Sequence, residues 1–142
     1  MIYKIEVFNK NGIFDAAGEN LKKDIIDLGI KSVKDVRVSY LYFIDGKLSK
    51  KSLESICENL LIDPVTQDYR VNNVSTALKA CLSKEFQVEV YFKSGVTDSV
   101  GEAVKIGITD LNINTVSSVR TGMKYYISGV SKKEVKIISE KL

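Results

Sequence analysis

The side chains in this sequence that could carry chemistry are few, and they recur in pairs. Asp15 sits in Gly12-x-x-Asp15-x-x-Gly18-Glu19, and Asp98 sits in the same frame, Gly95-x-x-Asp98-x-x-Gly101-Glu102. A carboxylate at such a position could act as an acid or base. It could also accept from the orphan amides of a helix start, and a Glu four residues on, in the first turn, suits the positive end of the dipole; capping is the better account of both aspartates. The glycines suggest a phosphate loop only superficially. The P-loop lysine and the dinucleotide glycine spacing are missing, so turn geometry explains them better. Arg37 and Arg120 could meet a partner carboxylate or phosphate, or could form solvated or intramolecular ion pairs. Cys57 and Cys81 are far apart, form no C-x-x-C, and lie in apolar helix-like contexts, which reads as small buried hydrophobes. The chain has no histidine. Imidazole is the usual base for Ser and Cys nucleophiles and the commonest ligand of catalytic zinc, so self-contained sites of those kinds are excluded. The expectation is a chain with no catalytic, metal or cofactor site of its own.

The whole composition fits that reading. Over 142 residues, 44% are hydrophobic and 27% charged, the averages of a soluble globular protein. The first residues alternate polar and apolar, without the apolar run of a signal peptide or a membrane span, so a cytoplasmic protein is expected. A net charge of +3, with Lys and Arg interleaved among Asp and Glu, does not make a nucleic-acid or anionic-lipid surface.

The pairing of sites comes from an internal repeat. Laying Lys4–Gly46 over Gln87–Gly129 without a gap matches Glu6/Glu89, Lys10/Lys93, Gly18/Gly101, Leu28/Leu111, Val36/Val119, Arg37/Arg120, Tyr42/Tyr125, Ile44/Ile127 and Gly46/Gly129, among others. Identity is roughly two positions in five, far above chance for unrelated segments. After one deletion the register resumes with Ser49-Lys50-Lys51 over Ser131-Lys132-Lys133. The expected organisation is a first module over 1–72, a linker over 73–85 holding a short helix near Thr76–Leu82, and a second module over 86–142.

Each copy opens with a period-two strand, Tyr3–Val7 or Phe86–Val90, and a helix follows Asp15 or Asp98. The helix stripe is Leu21, Ile25 and Leu28 in one copy and Val104, Ile108 and Leu111 in the other. It stops at Gly29 or Asn112, the two residue types that most readily enter the left-handed region. A second strand spans Val36–Ile44 or Val119–Ile127. The second helix starts at Ser49 or Ser131, the latter with the capping box Ser131-x-x-Glu134. In copy one Asp63-Pro64 halts the helix and Val65–Val71 reads as a third strand. Copy two ends before an equivalent strand, so the natural polypeptide is expected to continue past Leu142.

The fold class is therefore α+β: two tandem β-α-β-α-β modules, the second lacking its last strand, each a small sheet with helices on one face, packed as a pseudo-twofold pair. The second sheet face carries Phe8, Leu41 and Phe43. Packing the two open faces against each other is the economical way to cover them.

At this level the residues resemble a family. Lys4-Ile5-Glu6-Val7 through Gly12-Ile13-Phe14-Asp15-Ala16-Ala17-Gly18, then Leu28-Gly29-Ile30, Val33–Val38 and Cys57–Val65, look like PurS, the small subunit of phosphoribosylformylglycinamidine synthase. The resemblance covers copy one and, more weakly, Phe86–Leu142. It implies a non-catalytic part, similar to the fused N-terminal region of single-chain synthases, that bridges glutaminase and synthetase parts for ammonia transfer in purine synthesis. ATP, Mg and glutamine would be used by the full enzyme, not by this chain. The implied partners are those two parts, with no nucleic acid and no membrane. Arg37, Phe43, Arg120 and Tyr126 are the candidate interface residues, and Gly12, Asp15, Gly18, Gly95, Asp98 and Gly101 the structural motif. The alternative is a small-molecule-sensing regulatory α/β module.

Overall fold

The computed structural model describes residues 2–71, 86–92 and 96–142. The expected linker helix, Gly95 and Cys81 lie outside the described residues. Element order is β1 (Ile2–Asn9), α1 (Ala16–Asp27), β2 (Asp35–Gly46), α2 (Lys50–Ile56) running into a π-helical turn (Cys57–Leu61), β3 (Gln67–Val71), β4 (Phe86–Tyr91), α3 (Ser99–Asp110), β5 (Val116–Ser128) and α4 (Lys132–Lys141). The strands form one five-stranded sheet in the order β3-β1-β2-β5-β4. Copy one contributes three strands and copy two contributes two, among the described residues.

Local chemistry explains the element boundaries. Both first helices end in the same reverse turn: Gly29 (φ 95°) and Asn112 (φ 65°) are left-handed. Around them the Ile30 and Ile113 amides donate back to the Ile25 and Ile108 carbonyls, and those of Gly29 and Asn112 to Ile26 and Thr109, satisfying carbonyls the helix leaves open. Ser49 accepts from the Ser52 amide to start α2, and Ser131 and Glu134 form the complete capping box of α4. The third strand begins at Gln67, not Val65. Asp63 holds Pro64–Thr66 in a turn by accepting from the Val65 amide with its side chain and from the Thr66 and Gln67 amides with its carbonyl. Val65 is left 80% exposed.

β1 pairs antiparallel with β2 (Tyr3 opposite Ile44, Ile5 opposite Tyr42) and with β3 (Ile5 opposite Val71, Val7 opposite Tyr69). Because side chains alternate, Tyr3, Ile5 and Val7 share a face with Tyr42, Ile44, Tyr69 and Val71. Glu6 lies on the other face between Leu41 and Arg70.

The chain divides into two compact units. The first comprises Met1–Ile13, Tyr40–Asn73 and Tyr91–Gly122. Its core joins Ile5, Val7, Ile44, Ile56, Cys57 and Leu61 of copy one to Ile108 and Val119 of copy two. The second comprises Phe14–Ser39, Val74–Val90 and Met123–Leu142. Its core joins Ile25, Ile30, Val33 and Val36 of copy one to Ile127 and Ile138 of copy two. Each core thus takes the first helix of one copy and the second helix of the other.

The two-module mixed α/β organisation is as expected, with helices packed on strands of their own copy, but the open faces of two separate sheets do not meet. β2 and β5 are instead neighbours in one sheet. Strands of 12 and 13 residues present long rows of backbone donors and acceptors, and pairing them satisfies both edges.

Candidate functional site

Asp15 caps α1 by accepting from the Gly18 amide at 2.9 Å through Oδ1. Its Oδ2 accepts from the Val38 amide of β2, also at 2.9 Å, so one carboxylate fastens the helix start to a strand. Asp98 does the same for α3 and β5, accepting from the amides of Gly101 at 2.8 Å and Thr121 at 2.6 Å, and additionally from the Thr121 hydroxyl. Carboxylates engaged this fully serve structure rather than proton transfer. The glycines three residues on belong to the same joint. A Cβ at Gly18 would collide with the Val36 carbonyl, and one at Gly101 with the Val119 carbonyl, so close helix-to-strand approach is what requires them. Gly12, with φ 85°, is a genuine turn glycine.

Cys57 is fully buried in the first core. Burial, reinforced by the nearby Glu58 and Glu54, pushes its thiol up to about 12, far from the thiolate a nucleophile needs. No group of three or more metal-ligating side chains occurs among the described residues.

The four candidate interface residues fall into two pairs, related by the repeat: Arg37 and Tyr126 in the second unit, Arg120 and Phe43 in the first. The Arg37 guanidinium lies over the Tyr126 ring at 5.0 Å, and the Lys124 ammonium approaches the same ring at 5.1 Å. Tyr126 is buried, so this cationic stack closes its own surface. Arg120 and Phe43 instead line an open cleft of about 570 Å³, with Ile2, Asp45, Tyr91, Phe92, Val96, Asp98, Ser118 and Thr121. Phe43 meets Tyr91 edge-to-face at 5.5 Å, and the Lys4 ammonium stands 5.8 Å from the Phe43 ring.

Tyr91, Phe92 and Val96 were not singled out by sequence reasoning. The available signal was their departure from the repeat, where copy one has Phe8, Asn9 and Ile13. A further cationic stack lies in the first unit: Arg70 sits 4.1 Å from the Phe8 ring and pairs with the buried Glu6 at 3.4 Å.

Aspartates engaged as caps, a buried thiol and repeat-related pairs of joints define a duplicated mixed α/β module. The chain belongs to the PurS family: the family model described as PurS, phosphoribosylformylglycinamidine (FGAM) synthase, matches residues 2–75 and 85–142, one segment per copy. Among solved structures, the Methanocaldococcus jannaschii PurS, described as one of the subunits of formylglycinamide ribonucleotide amidotransferase in the purine biosynthetic pathway, aligns with 24% identity and a TM-score of 0.46, covering 50% of this chain and 92% of its own. The Bacillus subtilis PurS aligns with 24% identity and a TM-score of 0.47, covering 50% of this chain and 94% of its own. No curated protein sequence matches significantly.

Proposed function

We propose that this chain is a non-catalytic PurS part of phosphoribosylformylglycinamidine synthase in purine biosynthesis, and that it holds glutaminase and synthetase parts together so that ammonia passes between them. The observation that carries the reading is the family match over both copies in one chain. Engagement of Asp15 and Asp98 as caps and burial of Cys57 support a scaffolding role. ATP, Mg and glutamine then belong to the partner parts, and the place of action is the cytoplasm. No helix among the described residues is long and apolar enough to cross a membrane.

The test is reconstitution of the chain with the glutaminase and synthetase parts of the same organism. Amidine formation driven by glutamine should depend on the chain, whereas formation driven by free ammonia should not. Equal glutamine-driven rates with and without the chain overturn the proposal, and so does glutamate release by the pure chain.

A further inference from the structure

We infer that the Arg120 cleft is the anchor point for one of the two partner proteins, taking an acidic side chain flanked by an apolar or aromatic one; this rests on the scaffolding function proposed above. Arg37 and Arg120 are equivalent in the repeat and both are exposed. Arg37 is already stacked on Tyr126. Among the described residues no aromatic ring is stacked on Arg120, which lines a cleft together with Phe43, Tyr91 and Phe92.

Two carboxylates share the lining. Asp98 is engaged by the Gly101 and Thr121 amides and the Thr121 hydroxyl, and Asp45 has interactions of its own within the chain. The Lys4 ammonium stands near the same aromatic wall. The charge complement of Arg120 is therefore an anion, and a guanidinium favours the planar, two-oxygen geometry of a carboxylate.

The rim decides between a protein and a small molecule. Ile2, Phe92, Val96 and Tyr91 are 61%, 51%, 54% and 47% exposed. A small ligand on the floor would leave those apolar groups in water, whereas pockets for small ligands enclose most of the ligand's surface. A protein surface covers rim and floor together, and Arg with Tyr and Phe is the composition of interface centres. The equivalent surface in copy one carries Asn9 where copy two has Phe92, so the repeat offers this combination once.

The experiment measures dissociation constants of the intact chain for the separately purified glutaminase and synthetase, using wild type, Arg120→Glu, Arg120→Gln, Phe92→Ser and Arg37→Gln, with melting curves as the check on folding. Arg120→Glu and Phe92→Ser should each weaken binding to the same one of the two partners, by about tenfold or more for the charge reversal, with Arg120→Gln intermediate and Arg37→Gln within about twofold of wild type. Adenosine monophosphate serves as the small-anion probe. If it binds wild type but not Arg120→Glu while both partners bind the variants normally, the cleft is a ligand site and the inference fails. It also fails if every Arg120 and Phe92 variant binds both partners like wild type while glutamine-driven activity still depends on the chain. Loss of that dependence in the wild-type chain would instead overturn the scaffolding function itself.

Discussion

The two compact units are built from the same parts with the copies exchanged, yet they finish differently. The first core uses Ile44, Ile56, Ile108 and Val119, and the second uses the repeat equivalents Ile127, Ile138, Ile25 and Val36. The capping joints correspond as well, Asp98 to Thr121 in one unit and Asp15 to Val38 in the other. What differs lies outside the shared plan. The first unit adds β3 along the edge of β1, buries Cys57 where the second has Ser139, and leaves Arg120 lining an open cleft where the second stacks Arg37 on Tyr126. The framework is common to both units, and the surfaces around it differ.

The exchange of halves is open to a direct challenge. Copy one alone, residues 1–72, carries an incomplete part of each core and should therefore associate, two chains rebuilding both cores by mutual exchange. Sedimentation should find a dimer at micromolar concentration; a stable folded monomer would show that a single copy can close its own core.

Next in size, Ile25→Ala and Ile108→Ala should each cost about 2–5 kcal/mol in chemical denaturation, since both side chains are fully buried at equivalent places. A large cost at one and little at the other would mean the cores are not equivalent in packing.

The joints should separate by a smaller margin. Asp15→Ala removes a cap and leaves the Val38 amide without its partner, costing roughly 2 kcal/mol. Asp98→Ala also strands the Thr121 hydroxyl and should cost about 1 kcal/mol more. Equal losses would show that the hydroxyl bond adds nothing.

The smallest effect concerns alkaline pH. Cys57 rises from 9.0 to about 12 in the fold, so between those values the folded state holds a proton that the unfolded chain has released. The associated stability is present below about pH 9 and is lost as pH climbs toward 12. Tyr42 and Tyr69, also raised by burial, act in the same direction. Comparing the melting temperature of wild type with Cys57→Ala across this range should isolate the thiol's share as a shallower decline in the variant. Parallel curves would mean that Cys57 does not feel its surroundings as described.

The parts of the candidate site that were legible in the sequence are those with local causes. Asp15 and Asp98 as caps, and the helix ends at Gly29 and Asn112, depend on residues within one turn. The sequence around Gly18 suggests a turn residue, and only the approach of the Val36 carbonyl shows that it is a packing residue. Arg37 and Arg120 could not be distinguished, because their difference lies in what stands beside them on other strands.

By itself the sequence determined the duplication, the strands and helices of each copy, their caps and the absence of imidazole chemistry, since periodicity, capping and composition act over a few residues or none. Tertiary structure alone decided that β2 and β5 are neighbours, that each core mixes helices from both copies, and that one arginine is stacked while its twin lines a cleft. Two copies with matching apolar stripes can satisfy them either within a copy or across copies. Both arrangements bury similar side chains, so the hydrophobic pattern cannot choose between them; the choice belongs to strand-edge hydrogen bonding and close packing, which exist only once the chain has folded.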